Sequence, residues 1–287
     1  MENNTFTVLP MSQRINLQAG ETYEGSITVV NPADSTEDFA YQISVLPYGV
    51  TGTDNAADLV TDTNYTVISK WITVLEPSGK IAPNESKEIK FTINVPENAP
   101  AGGQYAAIAV SSDADTSASE GVSVQNVFEL ASIIYAHVAG ETVHDGEIVE
   151  NNIPGFVTSA PVTLSAYITN RGNIHEDATF IIKVSDFFSG QVILPTEENE
   201  GQYNEIIMPD SERYIEREIS DLPSLGVVKV SQTIYYNGEV SQEEKEIIIC
   251  PLWFIALVLL TITAIIFTIV QIVKKHKKTR RNKSIAV

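Results

Sequence analysis

KEIKFTINV, Lys87 to Val95, is the stretch that decides the fold class. Ile89, Phe91, Ile93 and Val95 fall on one face of an extended chain, and Glu88, Lys90, Thr92 and Asn94 fall on the other. Successive side chains of a strand point to opposite faces of a sheet, so this period of two describes a strand with one face for a core and one for water.

Similar short runs, broken by Gly, Pro, Asn and Asp, extend in both directions from this strand and argue for sheet rather than helix. In the N-terminal half they predict strands near 5–9, 22–30, 38–46, 66–75, 87–95, 104–111 and 122–138. The C-terminal half repeats the plan. A shift of 139 residues lays SITVVN (Ser26 to Asn31) on SAYITN (Ser165 to Asn170) and EDFAYQISV (Glu37 to Val45) on EDATFIIKV (Glu176 to Val184) without a gap. Tyr41 then falls on Phe180, Ile43 on Ile182 and Val45 on Val184, positions expected to turn inward. A second pair, IAPNESKEI (Ile81 to Ile89) and IMPDSERYI (Ile207 to Ile215), aligns at a shift of 126. Two matches in the same order point to one supersecondary plan used twice.

From Leu252 to Val273 the chain has no charged residue, and Gln271 is its one strongly polar side chain. At about 1.5 Å per residue such a helix crosses a hydrocarbon core of roughly 30 Å. Pro251 suits its first turn and Trp253 the outer interface. Seven Lys and Arg follow between Lys274 and Val287, with no acid among them. The positive-inside rule therefore expects a cytoplasmic tail and extracellular domains. That orientation requires an export signal, and MENNTFTVLP has neither a basic start nor an apolar core, which points to a leader that precedes or was removed from this sequence. The expected fold is all-β, two tandem Ig-like β-sandwiches (1–140 and 141–249) followed by one transmembrane α-helix (251–273) and a basic cytoplasmic tail (274–287).

The formal net charge is −19, and removing the tail's seven positive charges leaves −26 on residues 1–273. A body that acidic repels phosphate backbones, which opposes nucleic-acid binding and favours cationic or neutral partners. Cys250 is the single cysteine, so no intramolecular disulfide or cysteine-based metal site can form. His137, His144, His175 and His276 show no metal-ligand spacing, and there is no nucleophile elbow or phosphate-binding loop. The sequence thus predicts a non-enzymatic protein with no cofactor and no metal.

Asp54, Asp58 and Asp62 recur every fourth residue but lack the ligand count and tight Gly turn of a calcium loop, so a solvated loop is expected there. In seven-strand Ig order, loops 31–37, 76–86 and 111–121 share the end that holds the N-terminus, farthest from the membrane, and loop 48–65 lies at the other end. The acidic loop Ser111 to Gly121, with Asp113, Asp115 and Glu120, is then the candidate contact to a cationic surface. The same topology turns Asn170 to Asp177 toward the first domain, making His175 an interdomain packing or hydrogen-bonding residue.

FTVLP (Phe6 to Pro10), QAGETYEGSITVVNP (Gln18 to Pro32) and KWITVLEPSGKIAPNESKEIKFTINVPENAPAGGQYAAIAV (Lys70 to Val110) resemble the WxL-interacting cell-surface proteins of Gram-positive bacteria, which also carry two Ig-like domains, a membrane helix and a basic tail. YITNRGNIHEDATF (Tyr167 to Phe180) resembles a broader class of bacterial Ig-like surface domains. The resemblance implies a membrane-anchored cell-surface scaffold whose partners are peptidoglycan or a WxL-type surface protein. A membrane-tethered assembly chaperone that pairs β-strands with a client is the alternative expectation.

Overall fold

A computed structural model describes residues 6–112, 129–196 and 200–285. Thr7–Leu9 (β1), Ser12–Leu17 (β2), Thr22–Val30 (β3), Phe39–Pro47 (β4), Gly49–Thr51 (β5), Ala56–Asp58 (β6), Ile72–Val74 (β7), Ser78–Ile81 (β8), Ser86–Asn94 (β9), Gly102–Ser112 (β10) and Glu129–Val138 (β11) build the first sandwich. One sheet has the order β1-β3-β9-β7 and the facing sheet β2-β11-β10-β4-β8, while β5 and β6 form a separate hairpin. The inward face read from Lys87 to Val95 is the one observed: Ile89 and Ile93 are fully buried and Phe91 nearly so. They pack with Ile27, Tyr41 and Ile108 from both sheets into one core.

Gly146–Asn152 (β12), Phe156–Val157 (β13), Val162–Asn170 (β14), Glu176–Asp186 (β15), Val192–Leu194 (β16), Gln202–Ile207 (β17), Ser211–Ile219 (β18), Gly226–Tyr236 (β19) and Glu239–Ile249 (β20) build the second. Its sheets run β12-β14-β18 and β13-β20-β19-β15-β16, with β17 also on β15. A single helix, α1 (Leu252–Ile285), follows. Its stretch Leu252–Lys275 is long and apolar enough to cross a membrane, and none of that apolar window is buried against the sandwiches.

The repeat marks equivalent positions. β3 corresponds to β14 and β4 to β15, and Tyr41 and Phe180 are both completely buried. Each copy has a buried asparagine at the end of this strand, Asn31 just after β3 and Asn170 as the last residue of β14. Asn31 Nδ2 donates to the carbonyls of Glu37 (3.0 Å) and Ile81 (2.9 Å), and Asn170 Nδ2 donates to those of Ile174 (2.8 Å) and Ile207 (3.0 Å). Ile81 and Ile207 open the second repeated segment, and within it Asn84 (φ 62°) and Asp210 (φ 50°) hold equivalent left-handed turns. The two sequence matches are therefore the two halves of one corner, joined by a side-chain amide.

Several expected elements differ. Residues 66–75, read as one strand, form a 3₁₀ turn (Val67–Lys70) followed by β7. Ile68 and Ile72 are buried four residues apart, a helical spacing, and Thr66 Oγ1 accepts the Thr63 N–H at 2.8 Å to start the turn. The 48–65 loop contains the β5–β6 hairpin, the 76–86 loop contains β8, and β2 enters as an additional strand parallel to β11. The strand expected at 122–138 is observed from Glu129; its earlier part lies outside the described residues.

Candidate functional site at the junction of the sandwiches

The two sandwiches meet where β10 begins and the β14–β15 loop turns. Gly102 stands at φ +104°, and a Cβ built there would lie 2.5 Å from the Asn173 carbonyl oxygen. With no side chain in the way, the Gly103 N–H reaches that oxygen at 2.7 Å. Asn173 completes the seam by donating from Nδ2 to the Glu141 carbonyl (3.0 Å) and accepting at Oδ1 the Val143 N–H (2.8 Å).

Beside this seam the Tyr105 hydroxyl accepts the His175 backbone N–H at 2.8 Å and lies 3.1 Å from His175 Nδ1. One hydroxyl thus bridges the backbone and the ring of His175, and the direction of the second bond follows the imidazole tautomer. Burial, reinforced by the Arg14 charge, pushes the His175 pKa down to about 4. Tyr135 packs against both rings, 5.8 Å from Tyr105 and 5.3 Å from His175 between centroids. At the rim Arg14 of β2 makes a two-pronged ion pair with Asp177 of β15, both bonds 2.6 Å, and holds that carboxyl below its usual pKa. His175 thus sits in the interdomain position expected from the topology.

On the other flank the hairpin tip reaches across. The Tyr214 N–H of β18 donates to the Thr53 carbonyl at 2.8 Å, and the Tyr65 hydroxyl donates to Asp210 Oδ2 at 2.9 Å. Burial and that carboxylate together raise the Tyr65 pKa to about 12. Between these contacts lies a cleft of about 290 Å³ lined by Tyr48, Val50, Tyr65, Tyr105, Met208 and Asp210. Aromatic edges and hydroxyls around a single carboxylate suit recognition of a neutral or cationic group. They supply no activated nucleophile or acid and base pair, since Asp210 is engaged by Tyr65 and the imidazole by Tyr105.

The candidate residues read from sequence lie elsewhere. Asp113, Asp115 and Glu120 fall outside the described residues, so their loop is not placed. Asp58 Oδ1 accepts the N–H groups of Val60 and Thr61, and Asp62 pairs with Lys70 at 2.7 Å, so one of the three periodic aspartates serves a local turn and another an exposed ion pair. Among the described residues no cluster of His, Cys, Asp and Glu could hold a metal ion. The junction cleft itself was not read from sequence. Tyr48, Tyr65 and Met208 come from segments 160 residues apart in chain order at the extreme, and only the repeat and His175 pointed to that end.

No protein-family model and no curated protein matches the chain. Among solved structures, the chaperone-tip adhesin complex of CFA/I fimbriae biogenesis is similar at a TM-score of 0.40 and 13% identity, covering 84% of this chain and 98% of that one. The class 5 fimbriae chaperone CfaA is similar at 0.39 and 14%, covering 84% and 99%. The Salmonella enterica SafA pilin complex with the SafB chaperone is similar at 0.39 and 10%, covering 87% and 98%. At these values the two-sandwich description rests on the sheets of this chain.

Proposed function

We propose that this chain is a non-catalytic binding protein of a bacterial cell surface, anchored by α1 with both sandwiches outside, that engages a WxL-type surface protein or peptidoglycan. The observation that carries this reading is the junction cleft. Two rigid sandwiches locked to each other hold Tyr48, Tyr65 and Asp210 open on a concave wall, and the second sandwich continues into an apolar helix after Cys250 and Pro251. Binding sites are concave, mostly apolar and furnished with a few polar groups, and this cleft has that composition.

The test uses the full chain in detergent, with purified peptidoglycan and a WxL-type surface protein as separate probes. Tyr48→Ala with Tyr65→Ala should weaken binding to one of them at least tenfold. Replacing Asp113 and Asp115 by Asn and Glu120 by Gln tests the acidic loop in parallel: a salt-sensitive loss there, with the tyrosine variant unchanged, would move the site away from the junction.

One observation favours a strand-pairing chaperone as the second reading. β18 pairs with β14 on one side, and along its outer edge the Tyr214 N–H is taken by Thr53. Glu216 has the same outward register two residues on, so Glu216→Pro should abolish pairing by a client while leaving the β14 ladder intact. Binding that survives this substitution excludes pairing at that edge. Glu212, Glu216 and Glu218 place charge along the strand, a pattern that protects an edge from pairing, which is why the cleft is preferred.

A further inference from the structure

The end of the second sandwich nearest α1 carries an aromatic tip. The register fixes its level: Asp186 of β15 lies opposite Val228 of β19, and Val228 lies opposite Ile247 of β20. The turn that follows Asp186 therefore emerges at the end where β20 gives way to the helix. It stands two strands from β20, about 10 Å to the side at the usual strand spacing. Phe187 and Phe188 occupy this turn with their rings edge to face at 5.1 Å, and Phe188 is 80% exposed. Exposed Leu225 stands in the β18–β19 connection at the same end, and the exposed pair Phe156 and Ile248 lies beside it where β13 and β20 are in register.

The tip is built rather than slack. Asp186 Oδ1 accepts the N–H groups of Phe188 (3.1 Å) and Ser189 (2.6 Å) and the Ser189 hydroxyl (2.7 Å), bonds that hold its carboxyl below the usual pKa. The Gly190 N–H returns to the Asp186 carbonyl at 3.0 Å, and the Phe187 N–H is fixed to the Val227 carbonyl at 3.0 Å. The junction to the helix is equally short. The Cys250 N–H bonds the Val157 carbonyl at 3.0 Å, and the Pro251 carbonyl already accepts from Phe254 and Ile255. Only Cys250 and Pro251 separate sandwich from helix.

We propose that Phe187 and Phe188 form a wedge that enters the interfacial layer of the bilayer spanned by α1, seating the second sandwich on the lipid surface. This rests on the membrane-anchored reading above. What covers the tip is set by the chain itself, since the helix begins two residues beyond β20 and the headgroup layer is only about 5–8 Å deep on each side of the hydrocarbon. Attraction to anionic headgroups is not the source of the contact, because Asp186, Asp221 and Glu218 at this end are acidic. Apolar transfer of the two rings is, so seating is insensitive to salt.

The experiment places a nitroxide at Phe188→Cys in the full chain carrying Cys250→Ser, reconstituted in phosphatidylcholine nanodiscs holding one copy each. Accessibility to oxygen and to a water-soluble nickel complex reports depth. Companion labels at Ser224→Cys, at Val60→Cys and at Thr263→Cys mark the same end, the first sandwich and the helix centre. The expected result is that labels at 188 and 224 lose at least threefold in nickel accessibility relative to 60 while gaining oxygen accessibility, unchanged between low and high salt. A label at 188 as wet as that at 60, with 263 in lipid, overturns the wedge alone. Shielding of 188 from both reagents means that protein covers the tip and also overturns it. A water-accessible 263 overturns the membrane reading itself.

Discussion

Asn31 donates through Nδ2 to the carbonyl oxygen of Ile81, 2.9 Å away, across the corner where the first sandwich turns from β3 to β4. Asn170 does the same for Ile207 in the second, so one side-chain amide in each domain ties the loop after this strand to the strand across the corner. Both asparagines are buried, at 3% and 1% exposure, and a buried acceptor left without a donor costs roughly 1–3 kcal/mol.

Asn31→Ala and Asn170→Ala should each lower unfolding stability by about 2–4 kcal/mol, since each removes two hydrogen bonds from a buried corner and opens a small void. Urea denaturation followed by far-ultraviolet circular dichroism checks this. The aspartate variants should be worse at neutral pH than at pH 4, because a carboxylate facing two carbonyls must take up a proton to donate. Equal loss at both pH values would show that shape rather than donation matters at the corner.

Tyr105→Phe should cost about 2 kcal/mol, because it deprives the His175 N–H and Nδ1 of one shared oxygen inside the junction. Arg14→Met should cost under about 1 kcal/mol despite removing two short bonds, since the pair is half-exposed and screened. Calorimetry on both variants ranks them. A larger loss for Arg14→Met would make the rim, not the aromatic interior, the fastening between the sandwiches.

The His175 pKa near 4 gives the junction a defined acid limit. In the unfolded chain the imidazole titrates near 6.5, so below that value the unfolded state binds a proton that the folded state refuses. The stabilising contribution is complete above pH 6.5 and is lost as pH falls through 4. Its full size is about 3 kcal/mol. Comparing wild type with His175→Gln at pH 7.5 and pH 4.5 should show the wild type losing about 2–3 kcal/mol more on acidification. Asp177, whose carboxyl is held low by Arg14, adds a further loss only below its unfolded pKa of about 3.8, outside this window.

The charge distribution around Leu252–Lys275 predicts a cytoplasmic C-terminus. Protease applied to intact protoplasts should digest both sandwiches and spare an epitope added after Val287; loss of that epitope with retention of the sandwiches reverses the orientation.

Much of this arrangement is legible in sequence because it is written locally. The alternation at Lys87–Val95, the apolar run after Pro251 and the two repeated segments each carry their own signal, and the repeat even marks the corner asparagines before their role is known. β2 carries almost none. Only Ile15 and Leu17 of its six residues turn inward, and its parallel pairing with β11 is decided by a strand more than 110 residues away. The 66–75 segment misleads because Ile68 and Ile72 suit a strand pattern and a helical turn alike. The junction cleft was hidden for a different reason: Tyr48, Tyr65 and Met208 lie in turns and at strand ends, and carry no pattern of their own until two domains are set against each other.

The direct passage from β20 into α1 also sets how the ectodomain would bear tension. A pull between the bilayer and a partner held by the first sandwich enters at Ile249, which is clamped by Gly226 on β19 and Val157 on β13. From there it runs along the axis of β20, and the 11 β19–β20 register pairs are loaded together in shear rather than opened one at a time. Strands loaded in shear give way together, so on the membrane-anchored reading proposed above the β19–β20 ladder is the element that would carry the load.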